Sequence, residues 1–195
     1  MIAIVDYAAG NIFSVSNALD RLGAAYEVTA DPLRLRAADR LILPGVGHAG
    51  SALDSLRQKG LNAVIRSLRQ PVLGICVGLQ LLCRDSEEGN AKGLGVFDSH
   101  VRHFPSGADV RVPHMGWNSL SNLDGKLFRG IPEGACVYFV HSYYPDCCTD
   151  TIATCRYGST LFSAALKYEN FYGTQFHPEK SGTIGQQILN NFLEL

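Results

Sequence analysis

A short apolar run that leads into a cysteine between two glycines constrains this fold more than any other feature of the sequence. Residues 71–75 are apolar and contain proline and glycine at their bounds, which is typical of a strand buried on both faces of a sheet. After Cys76, apolar side chains recur at helical spacing as far as Cys83. The segment therefore predicts a buried strand, a sharp turn at Cys76 and a helix that covers the sheet.

The first half of the chain repeats this alternation of strand and helix. The predicted strands are 2–6, 26–29 and 40–43, and the predicted helices are 11–22 and 50–69, the last interrupted at Gly60. Alternating strands and helices imply a parallel sheet covered by helices, an α/β fold.

The second half is richer in strands. Short apolar runs separated by turn residues extend from Phe97 to Tyr172 and predict an antiparallel extension of the sheet. The segment after Glu179 has apolar residues at helical spacing and predicts a closing helix. We expect loops at 86–95 and 104–112.

Length and composition favour a single domain over residues 1–195. A chain of 195 residues that is 46% hydrophobic buries one good core. A net charge of -1 gives no general attraction to nucleic acid or membranes. The sequence has no run near the roughly 20 apolar residues of a membrane span, and it begins directly as a strand, without the pattern of an export signal. We therefore expect a cytoplasmic protein.

The six cysteines do not follow a disulfide or zinc pattern. A chain this long and apolar does not need disulfides, and no C-x-x-C spacing is present. We expect reduced thiols, with Cys83 packed in the core. The sequence leaves open the roles of the remaining residues Cys136, Cys147, Cys148 and Cys155.

Cys76 has the setting of a nucleophile. Gly74 and Gly78 flank it and leave room for a sharp turn, as in the G-x-S-x-G elbow that lifts a serine above a sheet. The amino end of the following helix favours thiolate over thiol. An isolated cysteine is more often a small buried hydrophobe, so the flanking glycines, the preceding strand and a downstream histidine carry the prediction.

That histidine is His177, with Glu179 two residues later. If the strand-like run before His177 continues, both side chains lie on one face, and the carboxylate can hold the imidazole tautomer while the other ring nitrogen faces the thiol. A histidine-x-glutamate pair alone is as consistent with an ordinary surface pair. Together with the elbow it predicts a catalytic triad of Cys76, His177 and Glu179.

Two stretches that carry these residues, 74–80 and 176–181, resemble the signatures of class I (triad) glutamine amidotransferases. Four more, 4–11, 43–47, 112–118 and 138–144, are similar to the glutaminase subunits of imidazole glycerol phosphate synthase. The resemblance covers the whole chain and implies a flavodoxin-like α/β fold, with a mostly parallel sheet flanked by helices. Ala8 stands where the family commonly has glycine, and Val77 and Leu79 stand where it often has leucine or methionine; these changes conserve bulk.

The resemblance implies hydrolysis of glutamine to glutamate and ammonia through a cysteine thioester, in histidine biosynthesis and without a metal or organic cofactor. Backbone N–H groups would receive the oxyanion: Val77 is one donor, and the loop with Val46 and Gly47 offers another. By analogy with the family, the substrate would be held by Gly45, Gln80, His141, Ser142 and Tyr143.

Gly45 and Gly47 have a simpler interpretation as turn residues. Two glycines around Val46 also lower the barrier to rotating a peptide bond. We therefore hypothesise that the second oxyanion donor points away at rest and turns inward when a substrate-loaded partner binds.

The resemblance implies a heterodimer with a (β/α)8-barrel cyclase as the partner. The cyclase would receive the ammonia directly, before bulk water protonates the ammonia. Aromatic and methionine side chains are enriched in interface cores. Trp117, the only tryptophan, is equally consistent with a core position from sequence alone, and the resemblance favours the interface. The implied interface residues are Asn11, Met115, Trp117, Tyr138 and Lys180.

Other functions remain open from the sequence. A free-standing cysteine hydrolase on a flavodoxin-like sheet could use the same elbow and would work at full rate alone. A catalytically silent interaction subunit is a second alternative, against which the intact triad argues. Within the superfamily, the glutaminase of anthranilate or aminodeoxychorismate synthesis is nearest, and co-purification with a barrel cyclase would exclude it.

Overall fold

The computed structural model describes residues 1–8, 10–105 and 110–195, so part of the loop expected at 104–112 lies outside the described residues. The first half alternates strands and helices as the sequence predicts. In chain order it contains β1 (Ile2–Val5), α1 (Ile12–Arg21), β2 (Tyr26–Thr29), α2 (Pro32–Ala37), β3 (Arg40–Gly45), α3 (Ala49–Gln58), α4 (Leu61–Arg66), β4 (Val72–Cys76) and α5 (Val77–Leu82).

The second half consists mainly of strands and ends in a helix. Its elements are β5 (Asp85–Ser86), β6 (Ala91–Lys92), β7 (His100–His103), β8 (His114–Ser119), β9 (Cys136–His141), β10 (Tyr143–Pro145), β11 (Thr151–Tyr157), β12 (Thr160–Tyr168), β13 (Phe171–Thr174) and α6 (Gly182–Leu193). Short 3-10 turns lie at Glu88–Asn90, Lys126–Phe128 and Pro178–Lys180.

The main sheet is mostly parallel, as predicted. In the described part of the chain its strand order is β11-β12-β13-β4-β3-β1-β2. The five strands from β13 to β2 are parallel, and β12 and β11 continue the sheet as antiparallel strands. β3 and β4 are neighbours in register, with Gly45 opposite Cys76. The carboxyl ends of these two strands therefore bring the predicted nucleophile and the predicted oxyanion loop together.

Helix α1 illustrates how the sequence pattern becomes packing. Val15 and Leu19 are buried, and Ile12 and Leu22 pack against the core from its edge, as the helical spacing predicts. The Asn11 side chain accepts a hydrogen bond from Ser14 N and so caps the first turn. Capping with this geometry typically contributes about 1 kcal/mol to helix stability.

Two expectations for the second half are corrected by the structure. The expected loop at 86–95 contains a small hairpin, in which Asp85 pairs with Lys92 and Ser86 with Ala91. Strands of two residues are too short for an alternating pattern to reveal them. The expected antiparallel extension is also divided: β11 and β12 join the main sheet, whereas β10, β7, β5 and β6 form a second sheet and β8 pairs with β9 alone.

The buried apolar side chains form one continuous core. β1 and β4 are buried along their whole length, so both faces of the main sheet are covered. Among the helices in the described ranges, none combines the length and the apolar character needed to cross a membrane.

Candidate active site

Cys76 lies on a strained turn between β4 and α5. Its backbone has φ +54° and ψ −111°, a conformation that costs a residue with a side chain about 1–3 kcal/mol. The turn depends on close packing of α5 against the neighbouring backbone. A Cβ atom at Gly78 would lie 1.9 Å from the carbonyl oxygen of Leu43, and one at Gly45 would lie 2.2 Å from the nitrogen of Gly78. Only glycine fits either position.

His177 and Glu179 form a buried pair. His177 Nδ1 lies 2.8 Å from Glu179 Oε1, and both side chains are almost fully buried. The extended conformation does not continue as far as Glu179, because Pro178 begins a 3-10 turn that contains Glu179. A proline's fixed φ suits the first position of such a turn. The turn still brings the carboxylate against the imidazole.

The state of His177 follows from these contacts. Because the carboxylate accepts a hydrogen bond at Nδ1, Nε2 is directed away from Glu179, and in the described residues this atom has no hydrogen-bond partner. Burial by itself lowers the pKa of His177, but the neighbouring Cys76 sulphur, as the thiolate, and the Glu179 carboxylate raise it to about 10. The imidazole is therefore held in its protonated form near neutral pH.

Strand β9 fixes the segment that carries His177. The carbonyl of Tyr138 accepts a hydrogen bond of 2.9 Å from His177 N. The Tyr138 N–H donates one of 2.9 Å to Ser181 Oγ, and Ser181 Oγ donates one of 2.6 Å to the carbonyl of His177. These bonds connect the backbone of a predicted interface residue directly to the predicted base.

A cavity of about 330 Å³ brings most of the predicted site residues together. Cys76, His177 and Lys180 line it, as do the predicted oxyanion and substrate residues Val46, Gly47, Val77, Gln80, His141, Ser142 and Tyr143. Glu179 lies behind His177. Gly45 is outside the lining, because it packs against the first turn of α5.

A network of hydrogen bonds orders one wall of this cavity. His141 Nδ1 donates to the carbonyl of Tyr143 at 2.8 Å, so His141 Nε2 accepts from His114 Nδ1 at 3.0 Å. His114 Nε2 then accepts from Asn118 Nδ2 at 3.2 Å. Burial lowers the pKa of His141 to about 3 and that of His114 to about 4. Both histidines are therefore neutral, and each ring has a single tautomer.

Glu88 also lines the cavity, although the sequence analysis did not single it out. It lies in the 3-10 turn between β5 and β6, and its Oε2 accepts a hydrogen bond of 2.6 Å from Ala49 N at the start of α3. This turn lies in the segment 86–95, which the sequence analysis expected to be a loop, and it places the Glu88 carboxylate at the cavity. The only signal in the sequence was the adjacent pair of acidic residues, Glu87 and Glu88.

The predicted oxyanion loop is held firmly at one end. The buried hydroxyl of Tyr7 donates a hydrogen bond of 2.5 Å to the carbonyl of Pro44, and a Cβ atom at Gly10 would lie 3.1 Å from the Pro44 ring. Packing becomes loose only after Gly45, since Val46 is 40% exposed and a Cβ at Gly47 would meet no described atom within 4 Å. Gly47 has φ +85°, which glycine adopts without strain.

Of the predicted interface residues, Met115, Trp117 and Lys180 are exposed and Asn11 and Tyr138 are half-buried. Trp117 is 59% exposed and Met115 is 66% exposed, so the alternative that Trp117 is a core residue is wrong. The rings of Trp117 and Tyr138 are in edge contact, with centroids 6.2 Å apart. Phe13 is 76% exposed, and the sequence analysis did not single it out. Its signal was an aromatic residue outside the inward-facing stripe of α1.

Comparisons with known proteins agree with this geometry. The family model described as glutamine amidotransferase class-I matches residues 3–195. The imidazole glycerol phosphate synthase subunit HisH of Bacteroides thetaiotaomicron is 51% identical over 195 residues, covering 100% of this chain and 99% of the relative. The HisH subunit of Yersinia pseudotuberculosis is 45% identical over 196 residues, again covering 100% and 99%.

Solved structures share the fold at lower identity. A crystal structure of a glutamine amidotransferase superimposes with a TM-score of 0.73 at 21% identity, covering 100% of this chain and 98% of that one. A glutamine amidotransferase from Thermotoga maritima gives a TM-score of 0.64 at 17% identity, covering 99% and 82%.

Proposed function

The chain belongs to the class-I glutamine amidotransferases, and within them to the HisH glutaminase subunits of imidazole glycerol phosphate synthase; we propose that it hydrolyses glutamine at Cys76 and passes the ammonia to a cyclase subunit. The observation that carries this proposal is the joining of Cys76 and His177 in one cavity, with Glu179 2.8 Å behind the histidine.

In the first half of the reaction, Cys76 Sγ attacks the side-chain carbonyl carbon of glutamine. The electron pair moves to the carbonyl oxygen, and the Val77 N–H receives the oxyanion together with a donor from Val46 or Gly47. His177, protonated through its contacts with Cys76 and Glu179, gives its proton to the departing nitrogen. The C–N bond breaks, and ammonia leaves a glutamyl thioester.

In the second half, water attacks the thioester. His177 is now neutral and accepts a proton from that water through Nε2, while Glu179 keeps the ring oriented and stabilises the cation that forms. Collapse of the tetrahedral adduct breaks the C–S bond and releases glutamate. Each oxyanion donor typically contributes about 3–4 kcal/mol to such a reaction.

The cavity offers the amino acid end of the substrate two acceptors for its α-ammonium group and a backbone wall for its α-carboxylate. The Glu88 carboxylate has one oxygen bonded to Ala49 N, and its charge suits an α-ammonium group. Gln80 donates its amide hydrogens to Tyr143 O and Gln175 Oε1, so its own Oε1 is available as an acceptor for the same ammonium. Backbone groups of Ser142 and Tyr143 complete this wall and are proposed to bind the α-carboxylate.

We propose that the partner is a (β/α)8-barrel cyclase and that the two form a heterodimer, with residues 1–195 as one domain. The proposed docking surface is centred on the contacting rings of Trp117 and Tyr138 and includes Phe13, Met115, Asn11 and Lys180. Exposed aromatic and methionine side chains support it, because such residues dominate interface cores. Lys180 is exposed and also lines the cavity, so ammonia would leave beside it.

The loose packing at Val46 and Gly47 supports the resting-state hypothesis made from the sequence. Because Tyr7 fixes Pro44 and Gly45 packs against α5, while Val46 and Gly47 are lightly packed, the peptide between Val46 and Gly47 could rotate without disturbing β3. The isolated chain should then hydrolyse glutamine slowly. Equal glutaminase rates with and without the ligand-loaded cyclase would contradict this hypothesis and favour a free-standing hydrolase.

The proposal is tested with Cys76→Ala in the complex. The variant should lose imidazole glycerol phosphate formation from glutamine and keep formation from added ammonium chloride, because the cyclase site is untouched. Glutamate release and cyclised product are measured in the same reaction. Loss of both activities would contradict the division of labour, and retained glutamine use would exclude Cys76 as the nucleophile.

A further inference from the structure

We propose that Gln175 is a further catalytic residue, whose side-chain amide donates a hydrogen bond to the Cys76 sulphur and stabilises the thiolate that leaves when the glutamyl thioester is hydrolysed. This inference rests on the proposed function. Gln175 precedes Phe176 and His177 at the end of β13 and is fully buried. Its Nε2 lies 3.6 Å from Cys76 Sγ, within the range of a hydrogen bond to sulphur.

The direction of this bond is fixed by a chain of contacts that ends at a backbone carbonyl. The Tyr143 carbonyl can only accept, so the Gln80 atom 3.0 Å from it must be the amide nitrogen. The same nitrogen lies 3.0 Å from the Gln175 side chain, so the Gln175 atom that faces it must be the oxygen. The remaining atom of the Gln175 amide is therefore nitrogen, and this nitrogen faces Cys76.

The buried amide side chain of Gln175 is not explained by packing alone. Burying an amide group away from water costs about 1–3 kcal/mol unless it is hydrogen-bonded, and an apolar side chain of the same length would fill the volume without that cost. The backbone of Gln175 is already held by its own hydrogen bond to Ala164 O, 2.8 Å long. The side chain therefore has a use beyond holding the strand, and its donor is directed at the nucleophile.

The bond matters most when the sulphur is the leaving group. As the tetrahedral adduct of water and thioester collapses, the C–S bond breaks and its electron pair remains on Cys76 Sγ. The proton lost by the water is on His177 Nε2 at this point, and glutamate departs. A positioned N–H beside the sulphur stabilises the negative charge in that step, as hydrogen bonds to ionised groups do.

The test uses Gln175→Met in the complex with the ligand-loaded cyclase. Methionine has a similar length and volume but no donor. Hydrogen bonds to charged groups contribute enough that deacylation should slow about tenfold to hundredfold. Slower deacylation lowers kcat and KM for glutamine together. Methionine also removes the acceptor of the Gln80 amide, so the amount of trapped thioester, and not KM, reports the loss of the donor to sulphur. Acid quenching with radiolabelled glutamine should trap a larger fraction of the enzyme as glutamyl thioester.

A matched control is Asn191→Leu, which removes a buried amide far from the cavity. Asn191 Nδ2 donates to the carbonyls of Leu127 and Arg129 at 3.0 and 2.8 Å, so this variant should lower thermal stability without raising the trapped thioester. If Gln175→Met does not fold, Gln175→Asn retains an amide but withdraws it from the sulphur by one methylene, and the same kinetic signature is expected.

Two results would overturn the role of Gln175: a kcat within twofold of the unaltered complex, or a lower kcat with no rise in trapped thioester. The second result would indicate that Gln175 only supports the shape of the cavity. If the unaltered complex itself forms neither thioester nor ammonia from glutamine, the proposed function fails, and the role of Gln175 fails with it.

Discussion

An alanine at position 78 tests whether the packing of α5 on β3 sets the spacing of the active site. A Cβ atom there would lie 1.9 Å from Leu43 O and 3.0 Å from Leu43 C. Carbon and oxygen atoms in weak contact are about 3.3 Å apart, so the two elements would have to separate by about 1.4 Å. Both neighbouring atoms are backbone, and no side-chain rotation relieves the overlap.

That separation acts directly on the chemistry. Cys76 immediately precedes α5, and Val46 immediately follows β3, so the nucleophile moves away from the proposed oxyanion loop. A misplacement of about 1 Å can lower a rate about a hundredfold, and overpacking of this kind destabilises a fold by about 1–3 kcal/mol. We expect Gly78→Ala to lower kcat with glutamine about a hundredfold.

The assay compares glutamine-dependent with ammonia-dependent cyclisation in the complex, alongside thermal unfolding of the isolated chain. Gly50→Ala is the control, because its Cβ would lie 3.0 and 3.2 Å from two atoms of the His48 side-chain ring and at an ordinary contact distance of 3.8 Å from Glu88 O, and alanine is favoured within a helix. Ammonia-dependent turnover should be unchanged in both variants. Glutamine turnover by Gly78→Ala within threefold of the unaltered protein, at unchanged stability, would refute the steric reasoning.

Three further predictions concern stability and docking. Ala8 has φ +65°, a conformation that costs a non-glycine residue about 1–2 kcal/mol, so Ala8→Gly should raise the free energy of urea unfolding by about 0.5–1 kcal/mol; an unchanged or lower value contradicts the argument. The pKa of His177 is raised to about 10, so its stabilising contribution is complete below its unfolded pKa, near 6.5, and is lost as the pH rises through 10. Glu179→Gln removes part of that shift, and the decrease in unfolding free energy between pH 7 and 9.5 should be smaller than in the unaltered protein; an equal decrease would exclude the carboxylate as a cause. Trp117→Ala should weaken binding of the cyclase about thirtyfold by calorimetry and leave thermal stability unchanged, because the side chain is largely exposed; a matching loss of stability would mean that Trp117 supports the fold instead.

The parts of the fold that could be predicted have strong local signals. The run before Cys76 is buried along its whole length, and strands of this kind read as continuous apolar sequence. The grouping of Cys76 and His177 at one cavity, with Glu179 bonded to His177, could equally be predicted, because the proposed chemistry restricts each residue type. The glycines on either side of Cys76 predicted the sharp turn, and the structure shows that Gly78 has no space for a side chain.

The residues that were missed reach the site through contacts distant in sequence. Glu88 arrives on a hairpin whose strands have two residues each, which leaves no periodic pattern. Tyr7 bonds to a carbonyl 37 residues away, and Gln175 contacts a sulphur 99 residues away. From the sequence, Gln175 could be recognised only as a polar residue in a strand-like run. Its contact with Cys76 depends on the pairing of β13 with β4.

Strand β8 serves two surfaces with alternate residues. Met115 and Trp117 are exposed, whereas His114 is buried and bonds to His141 and Asn118. Anyone who wished to attach this glutaminase to a different ammonia-consuming synthase would therefore find the two sets of positions separable. With the proposed docking surface, the outward positions can be redesigned to recognise a new protein while the inward histidine and asparagine are retained. Specificity for the recipient and the shape of the cavity wall could then evolve at different rates within one strand of six residues.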